Sequence, residues 1–147
     1  MRILLAIEDS KFSEAALQAL LRQFRPGDTE VLVLTVVAPP TLSAPPQMAA
    51  EYVPELADEV SHSQELAEAT AKRLQAAGFE AKASMRVGDI REIILESAEE
   101  YHADLILLGS HGRKGLGRFL LGSVAESVAR HAHCSVEVVR LPAAQDR

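Results

Sequence analysis

The chain has 147 residues, 48% of them hydrophobic and 24% charged, with a formal net charge of −6. That length suits one domain with a real core, and an acidic balance with pI near 5.4 argues against a general nucleic-acid surface. The single cysteine, Cys134, excludes an internal disulfide framework and fits a reducing cytoplasm, while no apolar run reaches transmembrane length.

In chain order, Ile3 to Ile7 is a continuous apolar run. It is too short for a signal peptide, ends in Glu8-Asp9, and reads as a strand buried on both faces. Ser10 is placed to cap the next helix, whose apolar face is Phe12, Ala16, Leu17, Leu20, Leu21 and Phe24. Pro26-Gly27-Asp28 stops it. Val31 to Val37 is a second buried strand. Residues 38–53 hold four prolines and little periodicity, so they read as a long loop, either a lid or interaction segment or a plain connection. Helical spacing resumes at Leu56 and continues through Val60, Ser63, Ala67, Thr70 and Leu74 to a terminal glycine, Gly78. Ala81, Ala83, Met85 and Val87 alternate with Lys82, Ser84 and Arg86, the pattern of a strand with one wet face. Asp89 with Glu92 signals another helix, faced by Ile90, Ile93, Ile94, Ala98 and Tyr101. Leu105 to Leu108 is a fourth strand. Gly122 to His133 is a last helix, opened by a capping box, Ser123-Val124-Ala125-Glu126. Val136 and Val138 alternate with Ser135 and Glu137 in a fifth strand, with Cys134 as a small core residue at its start.

This succession predicts an α/β fold: a doubly wound open sheet of five parallel strands with helices on both faces. The first, second and fourth strands are apolar throughout and belong in the centre; the third and fifth alternate and belong at the edges. Right-handed crossovers then favour the order 3-2-1-4-5. The whole chain, 1–147, is expected to be one domain, with a tail at 142–147. In such a sheet ligands bind beyond the C-terminal strand ends where the order reverses. That point lies between the first and fourth strands, beside Glu8-Asp9-Ser10 and the segment after Leu108.

The segment after Leu108 is glycine-rich: Gly109-Ser110-His111-Gly112, then Arg113-Lys114-Gly115-Leu116-Gly117-Arg118, then Gly122-Ser123. Between Asp104 and Glu126 there is no acidic residue, whereas Arg113, Lys114 and Arg118 are basic. In an acidic chain this local inversion suits a polyanion. A strand, a glycine loop and a helix N-terminus together offer backbone N–H groups to an anion. The P-loop pattern fails, because Gly117 is followed by Arg118 and Phe119, and the dinucleotide pattern fails because no G-x-G-x-x-G follows the first strand. Residues alone therefore leave phosphate binding and simple turn formation both open.

Gly109-x-x-Gly112, nine intervening residues, then Gly122-Ser123 resembles the nucleotide-binding motif of the universal stress protein family. ILLAIEDSKFSEAAL resembles that family's first strand and helix, VLVLTVV its second strand, and RVGDIREIILESAEEYHADLILLGSHG the lead into its loop. The resemblance covers nearly the whole chain. It implies an ATP-binding protein, with Mg2+ as companion cation and AMP or ADP as alternative ligands. It implies phosphate contacts at Gly109, Gly112, Arg113, Gly122, Ser123, Val124 and Ala125, and nucleoside contacts at Ala6, Glu8 and Val36. Ile7, Leu108 and His111 belong to the same expected nucleotide site. The family usually has Asp where this chain has Glu8, and often Gly where it has Asp9. Glu8 still has the oxygens to accept hydrogen bonds from ribose hydroxyls, one methylene further out.

The resulting expectation is a cytoplasmic, nucleotide-dependent stress-response or regulatory module, at most a slow ATPase, with no committed catalytic residue. An adenine-nucleotide-dependent hydrolase or transferase on a related fold, or a nucleotide-free interaction protein, are the alternatives. No nucleic-acid or membrane partner is expected. His131 and His133 lack a third ligand nearby and sit where a cation suits a helix end, so no metal site is expected; His62 and His102 read as surface residues. No Lys or Arg occurs between Arg25 and Lys72 while eight acids do, a solvated acidic face. The fifth strand, as an exposed edge, and the family resemblance both point to a homodimer. Finally, Gly122 is expected just before a helix, with any side chain there directed at bound phosphate.

Overall fold

A computed structural model describes residues 1–39, 53–112 and 120–141. The strands are β1 (Arg2–Ala6), β2 (Glu30–Val37), β3 (Glu80–Val87), β4 (Leu105–Gly109) and β5 (Ser135–Val139). The helices are α1 (Lys11–Gln23), α2 (Val53–Ala76), α3 (Ile90–Tyr101) and α4 (Ser123–His131). The strands form one parallel sheet in the order β3-β2-β1-β4-β5, the order expected from their patterning. Of the long loop expected at 38–53, residues 40–52 lie outside the described residues, and helix α2 already begins at Val53. The tail expected at 142–147 lies outside them too.

Strand β1 is the spine. Ile3 lies beside Val31 on one side and Leu105 on the other, and Ala6 beside Leu34 and Leu108. Alternate residues of the central strands feed two separate cores, as a strand's period of two requires. Ile3, Leu5, Val31, Val33 and Leu107 pack with Leu17 and Leu20 of α1 and Leu74 of α2. Leu4, Leu34, Ile106 and Leu108 pack with Ile94 of α3 and Val128 of α4. The sheet is thus buried on both faces, which is why the central strands read as unbroken apolar runs. The edges differ. Strand β3 carries Glu80, Lys82 and Arg86, whereas β5 exposes no lysine or arginine within its span.

Local signals act as expected at three helix ends. Ser10 Oγ accepts the Ser13 N–H at 3.2 Å, and Asp89 Oδ1 accepts the Glu92 N–H at 3.0 Å, so both helices start with side-chain caps. After α2 the chain turns through Gly78 at φ 95°, and the Phe79 N–H reaches back to the Leu74 carbonyl at 3.0 Å. Helix α3 ends in the same way without a glycine. His102 occupies the left-handed region at φ 55°, ψ 48°, and the Ala103 N–H reaches the Ala98 carbonyl at 2.9 Å. Helices α1 and α2 are joined by Arg73, whose two guanidinium nitrogens each lie 2.7 Å from a Glu14 carboxylate oxygen. That hydrogen bonding holds the Glu14 carboxyl below its ordinary value.

Candidate functional site

The chain leaves β1 for α1 on one face of the sheet and leaves β4 for α4 on the other. Adjacent parallel strands whose connections diverge leave a crevice between their C-terminal ends. Here that crevice is a cleft of about 810 Å³, within the size range of small-molecule sites. It brings together Ala6, Ile7 and Glu8 from the end of β1, Val36 from β2, and Leu108, Gly109, His111 and Gly112 from β4 and its loop. Gly122, Ser123, Val124 and Ala125 from the start of α4 line it too. Arg113, Lys114 and Arg118 lie outside the described residues.

Several lining residues escaped the sequence reading. Leu34 lies two residues before Val36 on β2, and Ile90 and Ile94 are one turn apart on α3. With Val36 and Leu108 they make one wall apolar. The period-two pattern contained that signal for Leu34, which shares a face with Val36, whereas the helical pattern of α3 marked Ile90 and Ile94 as an apolar face without pointing it at the cleft. Ser13, Glu59, Leu120 and Leu121 also line the cleft. Ser13 is buried, and its Oγ accepts the Glu8 backbone N–H at 2.8 Å.

The three motif glycines have three different neighbours. A Cβ at Gly109 would lie 2.7–2.8 Å from the Cβ, carbonyl carbon and carbonyl oxygen of Phe12, so this glycine lets β4 end against the first turn of α1. A Cβ at Gly112 would lie 2.8 Å from Glu8 Oε1; the loop after β4 therefore rests on the carboxylate after β1. At Gly122 the backbone is ordinary, φ −63° and ψ 156°, yet a Cβ would lie 2.9 Å from the Ser110 carbonyl oxygen and 3.1 Å from His111 Cα. The reason is a hydrogen bond from the Gly122 N–H to that same carbonyl at 2.7 Å. The expectation that a side chain at 122 would point at bound phosphate is thus corrected, because it would first strike the loop's own backbone.

The capping box is corrected as well. Helix α4 begins at Ser123 with Gly122 as its N-cap, and among the described residues no side chain caps it. Its first intrahelical bond runs from the Glu126 N–H to the Gly122 carbonyl at 2.9 Å. The N–H groups of Ser123, Val124 and Ala125 precede that bond and have no intrahelical acceptor. They lie at the positive end of the helix dipole, on the wall of the cleft. One end of the cleft is suited to an anion and the other to a flat apolar group.

The histidines have local partners. His111 Nδ1 is 3.0 Å from Ser110 Oγ, and its ring lies 5.2 Å from that of Phe12. This hydrogen bond lies within the turn, and Nε2 is buried without a partner among the described residues. The exposed His62 meets Asp9 at 3.1 Å, His131 Nδ1 meets the Ser127 carbonyl at 2.9 Å, and His133 meets Glu99 at 3.1 Å. Among the described residues no group of three or more His, Cys, Asp or Glu is arranged to hold a metal ion. Cys134 is half-buried beside the α3–α4 core, and burial chiefly, with the charge of Asp104, pushes its thiol pKa up. No helix among the described residues is long and apolar enough to cross a membrane.

Residues 1–140 match the family described as the Universal stress protein family. The chain is 34% identical over 142 residues to universal stress protein MJ0531 of Methanocaldococcus jannaschii, an alignment covering 96% of this chain and 82% of the relative. Among solved structures, hypothetical protein MJ0577 superposes with a TM-score of 0.81 at 30% identity, covering 96% of both chains. A universal stress protein family protein from Arabidopsis thaliana, solved with AMP bound, superposes with a TM-score of 0.67 at 19% identity, over all of this chain and 96% of the other.

The close approach at Gly122 has a measurable consequence. Gly122→Ala is expected to lower stability by about 1–3 kcal/mol, the usual cost of forcing an added methyl into a packed site. Urea denaturation checks it, and a change under about 0.5 kcal/mol, the range of ordinary surface substitutions, would show that the loop ends part freely.

Proposed function

We propose, since the chain belongs to the universal stress protein family, that it binds an adenine nucleotide in the cleft between β1 and β4. ATP is the first candidate, with AMP and ADP as alternatives. The observation that carries this reading is the pairing of unlike ends in one cleft. Leu34, Val36, Ile90 and Ile94 offer an apolar wall for a base, and the uncapped start of α4 offers N–H donors for a phosphate chain. The AMP-bound relative supports the ligand class.

In this reading the roles follow the residues. The N–H groups of Ser123, Val124 and Ala125 hold phosphate oxygens, with Gly109, Gly112, Arg113 and Gly122 as the surrounding loop. Ala6, Ile7, Val36 and Leu108 contact the nucleoside, His111 braces the turn, and Glu8, beside Gly112, accepts ribose hydroxyls. Mg2+ would arrive with the triphosphate, which suits an ion that keeps most of its water. The protein acts as a nucleotide-dependent stress-response or regulatory module in the cytoplasm, with hydrolysis slow or absent. A nucleotide-free interaction protein would leave the start of α4 facing the cleft with only water to accept its N–H groups, and gives no reason for the apolar wall opposite.

We further propose a homodimer through β5. Its outer edge has no strand partner among the described residues, and such an edge invites pairing. Glu137, the one charge within β5, is drawn to α1 by the Gln23 side-chain amide, which donates to its carboxylate at 2.6 Å. Strand β3, with Lys82 and Arg86, is the protected edge. Light scattering at micromolar concentration is expected to give twice the chain mass; a monomer mass would remove this proposal.

The nucleotide reading is tested by calorimetry on the purified protein after denaturation and refolding to strip bound ligand. ATP is expected to bind more tightly than adenosine by about tenfold or more, because hydrogen bonds to a charged acceptor contribute roughly 1.5–3 kcal/mol each. Glu8→Ala should weaken ATP and AMP alike. Equal affinity for ATP and adenosine would argue that the start of α4 holds no phosphate.

A further inference from the structure

The first turn of α1 touches both loops that form the cleft. On one side Phe12 packs on Gly109, where a Cβ would come within 2.7 Å of it, and its ring lies 5.2 Å from that of His111. On the other side Ser13 Oγ accepts the backbone N–H of Glu8 at 2.8 Å, while the Ser13 N–H is fixed by the cap residue Ser10 at 3.2 Å. Ser13 is only 7% exposed, so this hydroxyl is not a solvated surface group. Two consecutive helix residues thus set where the backbone of Glu8 stands relative to the glycine loop. The Glu8 carboxylate ends beside Gly112.

We infer that Ser13 is a positioning residue for Glu8, and that through Glu8 it sets the site's preference for ligands carrying ribose hydroxyls; this rests on the nucleotide reading above. A glutamate has three side-chain torsions between its backbone and its carboxylate, one more than an aspartate. A rotation of the Glu8 backbone swings the carboxylate at the end of this longer side chain through a wider arc, so the orientation that Ser13 gives that backbone decides where the acceptor oxygens fall. Losing the Ser13 acceptor leaves a part-buried Glu8 N–H unsatisfied, and the segment must shift to reach water or another acceptor. Contacts between α4 and the phosphate end are not altered by that shift.

The test compares ATP with 2′-deoxy-ATP by calorimetry in the wild type, Ser13→Ala, Glu8→Ala and the double variant. The wild type is expected to prefer ATP by about three- to tenfold, the equivalent of roughly one hydrogen bond. Ser13→Ala should lose most of that preference while 2′-deoxy-ATP binds nearly as before. In the Glu8→Ala background, which has no acceptor left, Ser13→Ala should add nothing further, since residues acting through one interaction are non-additive. Equal weakening of both ligands, an unchanged preference, or additive effects in the double variant would overturn the inference and leave nucleotide binding standing. No binding of either ligand by the wild type would overturn the nucleotide reading and this inference together. Circular dichroism checks folding. Should Ser13→Ala not fold, Ser13→Cys, which keeps the size and supplies only a weak acceptor, decides: lost preference supports the assignment and full preference overturns it.

Discussion

The site depends on one backbone hydrogen bond, from the Gly122 N–H to the Ser110 carbonyl at 2.7 Å. It joins the two ends of the segment that leaves β4 and returns as α4. Closing a loop of this length costs chain entropy that grows slowly with length, and the closure holds because Ser110 is itself anchored. Its N–H donates to the Val139 carbonyl at 2.9 Å, extending the β4–β5 ladder, and its hydroxyl meets His111. Ser110 is 2% exposed, so the contact is shielded from water and from competing donors. The direction of α4, and hence of its first N–H groups, is inherited from the end of the sheet. A Cβ at 122 would come within 2.9 Å of the accepting Ser110 oxygen, which explains glycine at a position whose φ and ψ any residue adopts.

Electrostatics complements this geometry. The chain carries a net charge of −6, and the acids gathered between Arg25 and Lys72 fall largely on the exposed side of α2. The cleft end formed by α4 has the opposite character, supplied among the described residues by backbone dipoles. Fixed dipoles do not have to be drawn in on binding, which favours recognition of an anion without large rearrangement. Glu8 and Glu59 supply the negative groups in the cleft. A ligand with a phosphate tail and a hydroxylated middle would set its charge against α4 and its hydroxyls against Glu8.

Much of this was legible in the sequence, because burial leaves a pattern. Unbroken apolar runs in β1, β2 and β4 and alternation in β3 and β5 gave the sheet order, and the order gave the crevice. Contacts between distant backbones left no such mark. Ser123 followed by Glu126 fits a capping box, yet Gly122 takes the cap position, because its bond to Ser110 fixes the chain one residue earlier. The packing of Gly109 on Phe12 and of Gly112 on Glu8 joins residues about a hundred positions apart, which no local period encodes. His102 ends α3 in the left-handed region where glycine is usual, so the sequence carried no stop signal there. No motif or period in the sequence marked Ser13, and its bond to the Glu8 N–H is visible only in the folded chain.

The most direct measurement follows backbone amides of the isotope-labelled protein by NMR as ATP is added. Binding as described should shift the amides of Gly109, Gly112, Ser123, Val124 and Ala125 together, with one saturating dependence on ATP. The amides of Gly27, Asp28 and Gly78, around a polar cleft at the opposite end of the sheet, should stay still. Shifts at that opposite end with α4 silent would contradict the account.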